Sequence, residues 1–175
     1  DVYKRQTMTH PTTIGIDPGS RTTAIITITN TNTPLSLSLI TNPGDLLPPP
    51  AEYITDIIAE LNTHLTKHPN SLIAVESVTA PSWHLAHNHK HGSATNPTGL
   101  IGTAMILGAI LAHHPTATLI PPNKNGSKPL GAYPPELVSP REQKHPNWRT
   151  KTGTGKLRHA RSAYDVATTA NTTPL

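Results

Sequence analysis

Ile14-Gly15-Ile16-Asp17-Pro18-Gly19 is a short apolar run that ends in a carboxylate and a Pro-Gly pair. This pattern predicts a strand that runs into a tight turn. Two more strands are predicted after it. Residues Thr22 to Thr29 are rich in Thr and Ile, and residues 35–39 alternate Leu with Ser, as in a strand with one buried and one solvated face. Because the loops between them are short, we expect an antiparallel meander.

The remaining segments alternate helices with strands. Apolar residues spaced three and four apart predict an amphipathic helix over residues 54–65, and a continuously apolar strand follows at Leu72–Val75. A second helix is predicted from about Thr98 to His113, a fifth strand from Thr116 to Ile120, and a last helix from Leu157 to Ala170. This order favours an α/β fold in which helices cover both faces of a central sheet.

Composition limits what the chain can do. Its 175 residues point to one domain, and zero Cys excludes disulfides, thiolate metal sites and cysteine nucleophiles. Only 34% of the residues are hydrophobic, and no apolar run reaches the roughly 20 residues of a membrane span. The net charge of +4 is compatible with a phosphate-rich partner.

Three acidic residues stand where a carboxylate is costly. Asp17 ends the first strand, Glu76 ends the buried fourth strand, and Asp165 lies in an alanine-rich helix. If the first and fourth strands are neighbours, their acids converge, and the last helix can lay Asp165 across the same end. Mg²⁺ or Mn²⁺ would relieve the repulsion, and two such ions can drive phosphodiester hydrolysis. The alternatives are a turn-forming Asp17, a paired Glu76 at the surface and a solvated Asp165.

Three motifs resemble those of the RuvC-like Holliday junction resolvases, within the RNase H-like superfamily. They are Gly15-Ile16-Asp17-Pro18-Gly19-Ser20, Ala74-Val75-Glu76-Ser77-Val78 and Arg161-Ser162-Ala163-Tyr164-Asp165-Val166-Ala167. The phage-type branch is the nearer likeness. The resemblance covers about Thr12 to Ala170. It implies a five-stranded mixed sheet with three antiparallel and then two parallel strands, a homodimer, and Mg²⁺-dependent cutting of four-way DNA junctions.

The resemblance also assigns residues. Asp17, Glu76 and Asp165 would be the metal ligands for two ions of Mg²⁺ or Mn²⁺. The family usually has a fourth ligand, Asp or His, three residues before the last Asp, where this chain has Ser162. Either Ser162 binds through water, or His159 or another acid substitutes, or one metal site is weakened.

A basic segment precedes and enters the last helix. Residues 141–161 hold seven of the 14 Lys and Arg, with Glu142 as their only acid. Such clustering suits contact with a phosphate backbone, and a solubilising flexible loop is the alternative. The candidate DNA-binding residues here are Lys144, Trp148, Arg149, Lys151, Lys156 and Arg158. Arg158 and Arg161 are candidates to hold the scissile phosphate, or they neutralise the acids.

The loop after Glu76 carries Trp83 and four histidines, His84, His87, His89 and His91. Trp83 is a candidate to stack on an unpaired base at a junction, and the alternative is that it packs on the next helix. The histidines are a weaker candidate for a transition-metal site, since no Cys or acid completes it.

The sequence leads us to expect a metal-dependent, structure-selective DNA endonuclease. We expect residues 1–7 to be a non-native or disordered leader, 8–171 the nuclease domain and 172–175 a frayed tail, in a cytoplasmic protein without a membrane partner. The alternatives are a nucleic-acid-binding module whose chemistry has decayed, an RNA-processing nuclease of the same superfamily, and a nucleotide-binding fold of the actin and sugar-kinase type. The last needs two such domains, and the chain has room for one.

Overall fold

Five strands and four α-helices make up the part of the chain that the computed structural model describes, residues 10–79 and 97–173. The strands are β1 (Thr12–Asp17), β2 (Thr22–Thr29), β3 (Pro34–Thr41), β4 (Leu72–Glu76) and β5 (Thr118–Ile120). The helices are α1 (Ala51–Lys67), α2 (Pro97–His113), α3 (Pro140–Gln143) and α4 (Leu157–Thr172). The expected leader and the end of the expected tail, residues 174–175, lie outside the described residues, and both domain boundaries stay predictions.

The strands form one mixed sheet in the order β3-β2-β1-β4-β5. The pairs β3–β2 and β2–β1 are antiparallel, whereas β1–β4 and β4–β5 are parallel. The expected topology, three antiparallel and then two parallel strands, is therefore confirmed. The connections into β4 and β5 each contain a helix, α1 before β4 and α2 before β5, and such crossovers permit parallel pairing.

Each face of the sheet has its own core. On one face, isoleucines of β1 and β2 pack with residues of α1 and α2, among them Tyr53, Leu61 and Ile106. On the other, Ala24, Ile26 and Ile28 of β2 meet the alanines of α4. The alternation along β2 explains this division, since neighbouring residues of a strand face opposite sides. Helices thus cover both faces, as expected.

Helix α4 lies unusually close to β1, and a glycine permits this. A Cβ placed on Gly15 would overlap the carbonyl oxygen of Ala163 and the side chain of Ala167. The alanine stripe expected for the last helix is buried, with Ala160, Ala163 and Ala167 fully enclosed. Small residues on both partners therefore bring the helix against the strand.

The stretch from residue 121 to 157 is folded although it lacks periodicity. It forms α3 and three 3₁₀ turns, at Leu130–Ala132, Pro135–Leu137 and Trp148–Thr150. Its apolar residues Leu130, Tyr133, Leu137 and Val138 are buried beside α4 in the second core. Because these four side chains are spaced irregularly, no helix or strand pattern in the sequence predicts their burial.

Strand β3 leaves two of its three leucines exposed, while Leu39 packs against the second core. Leu35 is 47% exposed and Leu37 is 37% exposed. The serines face α1 instead, where Ser36 and Ser38 lie 3.1 and 3.0 Å from the ring nitrogens of buried His64. The serine side of the Leu–Ser alternation is thus covered by α1, because Ser36 and Ser38 join a polar cluster around buried His64.

Within the described ranges, no helix combines the length and the hydropathy required to cross a membrane.

We predict that Gly15→Ala lowers the free energy of unfolding by about 1–3 kcal/mol, since the new methyl group meets backbone atoms that cannot yield easily. Urea denaturation measures it. Gly108→Ala is the matched control, because no atom of the described residues outside the surrounding turns of α2 lies within 4 Å of a Cβ placed there; it should leave stability unchanged or raise it by up to about 1 kcal/mol. Equal stability of Gly15→Ala and wild type would mean that the close approach of α4 to β1 is wrong.

Candidate active site

Two carboxylates meet at the carboxyl end of the parallel pair β1–β4. Ile16 and Val75 are register partners, so the next residues, Asp17 and Glu76, follow side by side. Asp17 is only 7% exposed, and Glu76 is half-buried. Both line a cleft of about 240 Å³. The predicted convergence of these two acids is what the strand register produces.

The environment of Glu76 opposes its ionisation. Burial raises the pKa of Glu76 to about 7, and the neighbouring Asp17 carboxylate adds to the rise. The hydrogen bonds from Asn125 and Ser162 act in the opposite direction and do not outweigh it. A bound cation would relieve this penalty, because its positive charge favours the ionised form of Glu76.

Helix α4 supplies the second wall of the cleft. His159 Nδ1 lies 2.9 Å from Asp17 Oδ2, and Ser162 Oγ lies 3.4 Å from Glu76 Oε2. These residues are three apart and so share one face of the helix. Lys124 and Arg158 also line the cleft and bring positive charge to its rim. The cleft therefore combines a buried acid, a half-buried acid, an imidazole and two cations.

Asp165 lies outside the lining of this cleft, although it is 1% exposed. Its Oδ2 accepts hydrogen bonds from the Gly126 amide at 2.9 Å and the Tyr133 hydroxyl at 2.8 Å. Its Oδ1 pairs with Lys128 Nζ at 2.7 Å. The loop at Gly126 also packs against Ser162. Of the three acids expected to gather, the structure brings two together and gives the third its own cation.

The donor set fits one divalent cation at Asp17 and Glu76. Both are hard oxygen ligands, and the Ser162 hydroxyl is a neutral oxygen beside them. Among the described residues, no three of His, Asp and Glu are grouped closely enough to form a complete metal site. A second ion would need Asp165, which Lys128 already neutralises.

Arg161 does not face the carboxylate cleft. Its side chain is fully buried, and its guanidinium donates to the Leu137 carbonyl at 2.9 Å and to Glu142 Oε1 at 3.2 Å. A further donor bond reaches the Thr154 carbonyl at 3.3 Å. Burial of Glu142 works against ionisation, but the Ser139 hydrogen bonds and the pairing with Arg161 outweigh it and lower the pKa of that carboxyl. Arg161 thus ties the 137–154 segment to α4.

The other cations of the basic segment are exposed. Arg158 borders the carboxylate cleft, and Lys151 and Lys156 border a separate cavity together with half-buried Trp148. Lys144 and Arg149 are exposed and line neither. Trp83 and the four histidines of its loop lie outside the described residues.

Sequence reasoning missed three partners of the acids. They are Asn125, which donates to Glu76 Oε1 at 2.7 Å, and the Asp165 partners Lys128 and Tyr133. All three lie in the aperiodic stretch after β5, where no spacing pattern indicates which side chain turns inward. The one available clue was that so many polar residues follow directly on an active-site strand.

Comparison with solved structures decides the fold. A structure of Thermus thermophilus RuvC in complex with a Holliday junction substrate aligns with a TM-score of 0.54 at 14% identity, over 91% of this chain and 92% of that one. The chain has a RuvC-like fold. A second structure of Thermus thermophilus RuvC aligns with a TM-score of 0.49 at 16% identity, over 90% and 92% of the two chains. No protein-family model matches the sequence, and no curated protein does.

The RuvC-like fold explains why these acids are placed together: the RNase H-like topology expected from the sequence sets β1 beside β4 and lays the last helix across both. The expectation of that fold class is confirmed.

We predict that Glu76→Gln changes the pH dependence of stability when metal is absent. With the pKa raised from 4.5 to about 7, folded protein holds a proton that unfolded protein has lost. The wild-type free energy of unfolding should therefore fall as pH rises from 4.5 through about 7. Glu76→Gln removes this decrease and should be the more stable protein above pH 7.

Urea denaturation in EDTA at pH 5 and pH 8 tests this, with the exposed Glu136→Gln as control. An unchanged pH slope in Glu76→Gln would contradict the assigned burial of Glu76.

We predict that Arg161→Met lowers the free energy of unfolding by about 3–5 kcal/mol, because it strands Glu142 without its cation. Arg158→Met, an exposed arginine on the same helix, should change it by no more than about 0.5 kcal/mol. Chemical denaturation of both variants measures the difference, and equal stability would show that Arg161 is not a structural residue.

Proposed function

We propose that the chain is a divalent-metal-dependent endonuclease that cuts branched DNA, with the four-way junction as its substrate. The observation that carries this proposal is the pair Asp17 and Glu76, two desolvated acids side by side at the strand ends of a RuvC-like fold. Support also comes from the solved structure of similar fold, in which Thermus thermophilus RuvC is in complex with a Holliday junction substrate.

Asp17 and Glu76 would hold Mg²⁺ or Mn²⁺, the cations that prefer carboxylate oxygens. When bound there, such an ion supplies Lewis-acid polarisation of the phosphate and lowers the pKa of a coordinated water. The two ions expected from the sequence remain part of the proposal. The second would draw on Asp165, and this requires the ion pair with Lys128 to open.

The remaining groups of the cleft act on the substrate. Arg158 and Lys124 attract and orient the phosphate, since both are cationic and line the cleft. His159 orients Asp17, since its Nδ1 lies 2.9 Å from Asp17 Oδ2. The same imidazole would transfer a proton to or from the attacking or leaving oxygen. Ser162 orients Glu76 by its hydroxyl rather than adding a charge.

A basic surface beside the cleft suits the DNA arms. Lys144, Arg149, Lys151 and Lys156 are exposed, and such cations bind the phosphate backbone with a strong dependence on salt. Trp83 would add a stacking contact in its own loop. A protein that acts on cellular branched DNA belongs in the cytoplasm, in recombination and repair.

The second copy of a homodimer would pack on α2. This helix exposes an uncharged stripe, in which Ile101 is 47% exposed and Met105 is 43% exposed. Around Gly108 on the same side, no described atom lies within 4 Å of a Cβ position. An apolar helix face of this kind is typical of a subunit interface. Two copies would present two cleavage sites to one junction.

A binding module without cleavage activity is the second candidate. It is favoured by the Lys128–Asp165 ion pair together with Ser162 in the position where the resolvases usually have a ligand. Wild-type protein that binds four-way junctions but leaves them intact with both Mg²⁺ and Mn²⁺ would support this alternative. The same assay on an RNA substrate tests the third possibility, an RNA-processing nuclease, which would cut RNA and leave the DNA junction intact.

We predict that Asp17→Asn keeps its affinity for a four-way junction and that its cleavage rate falls by at least about a hundredfold. The loss is this large because the change removes a proposed metal ligand itself, rather than a residue that hydrogen-bonds to a ligand. A gel assay of nicking with titrated Mg²⁺ and Mn²⁺ measures cleavage, and a mobility shift in EDTA measures binding. Asp56→Asn, an exposed aspartate on α1, is the matched control and should cut like wild type. Full activity of Asp17→Asn refutes the assignment.

A further inference from the structure

A second and larger cavity lies beside the carboxylate cleft. Its volume is about 530 Å³, which is within the range of small-molecule sites. Lys156 and Leu157 border this cavity, while the next two residues, Arg158 and His159, border the cleft. The first turn of α4 therefore separates the two sites, which share no lining residue.

The lining of this cavity is cationic. Arg141, Lys151 and Lys156 are exposed side chains on its wall, with His145 beside them. Glu142 is the one acid among the lining residues, and its charge is already matched by Arg161. The cavity therefore offers uncompensated positive charge to an anion.

The cavity also has an aromatic and apolar wall. Trp148 borders it, and the Arg149 guanidinium, which does not line the cavity, lies 4.8 Å from the centre of the indole ring. Trp148 and Leu157 both pack against the second core, beside buried Leu130. The ring is thus held from behind while part of it faces the cavity. An aromatic wall next to several cations matches a planar base joined to a phosphate.

We propose that this cavity receives one unpaired nucleotide of the DNA substrate, with its base against Trp148 and Leu157 and its phosphate on Lys151 and Lys156. The source of the nucleotide rests on the proposed function; the chemistry that the cavity recognises does not. A DNA strand with one phosphate at Arg158 in the cleft would have a nearby phosphate at Lys156 in the cavity. The captured nucleotide would therefore lie close along the strand to the cleaved bond. The cavity would thereby favour junctions that release a base at the branch.

Photo-cross-linking tests the proposal without cleavage. A four-way junction carrying one unpaired 5-iododeoxyuridine at the branch is bound in EDTA and irradiated, and the linked peptide is identified by mass spectrometry. The expected cross-link is to Trp148. Cross-linking that spares Trp148 in wild-type protein that binds the junction would overturn the proposal.

Affinity measurements on the same junction add variants that guard against misfolding. Trp148→Ala should weaken binding by about tenfold, the effect of one lost base stack, and Trp148→Phe should restore most of it. Since Trp148 packs on the core, Lys151→Ala provides a change at an exposed residue, with a several-fold loss expected. Lys67→Ala, an exposed lysine at the end of α1, is its control. Wild-type affinity in both Lys151→Ala and Trp148→Ala, without a cross-link in the wild-type protein, means that the cavity holds no nucleotide.

Competition separates the two sources of a nucleotide. Deoxynucleoside monophosphate that displaces the cross-link only at millimolar concentration supports the strand as the source, whereas displacement at micromolar concentration overturns it in favour of a free nucleotide. Because cross-linking needs no metal, a junction that cross-links in EDTA and stays uncut with both Mg²⁺ and Mn²⁺ would refute the nuclease and leave the nucleotide site standing. A junction cut normally but never linked at Trp148 would do the reverse.

Discussion

The parallel pairing of β1 with β4 places two carboxylates, Asp17 and Glu76, next to each other and away from water. Burial opposes the ionisation of Glu76, and the neighbouring Asp17 carboxylate adds to this penalty. The sheet could avoid the conflict with neutral residues at both positions. Because the sheet keeps both acids at these positions, an added positive charge at the strand ends would stabilise the folded chain.

Helix α4 determines what surrounds those acids. Gly15 lets the helix approach β1 so closely that His159 and Ser162 reach the strand ends. One turn later the same helix presents Asp165, and there the protein uses its own ammonium group, Lys128, as the counter-charge. The fold thus treats its three acids in two ways. It pairs Asp165 with an internal ammonium group, and it sets Asp17 and Glu76 together in the cleft where we propose that a cation binds.

Much of this arrangement could be read from the sequence. The order of apolar segments predicted a central sheet with helices on both faces, and the resemblance to the resolvases implied that the sheet is mixed. The acids after Ile16 and Val75 could be expected to meet if β1 and β4 are neighbours, because parallel neighbours end at the same edge. Side-chain direction was harder to predict. Helical spacing places Asp165 on the same face as Ser162. Nothing in the local sequence indicates that its partners are Lys128 and Tyr133, which come from a stretch without periodicity.

The same limit explains the other differences. Arg161 looks like a phosphate ligand by charge, but Glu142 and two carbonyl groups draw it into the interior. The serines of β3 look solvated, but the distant His64 turns them inward. In each case a partner far away in the sequence decides the outcome, and local pattern carries no information on such partners.

Anomalous diffraction from crystals soaked in Mn²⁺ is the most direct test of the central claim, that Asp17 and Glu76 form a divalent-cation site. We expect an anomalous peak in contact with both carboxylates in wild-type crystals and no such peak in Asp17→Asn crystals. A wild-type map with no peak between these two side chains, or with Mn²⁺ bound only elsewhere, would contradict it.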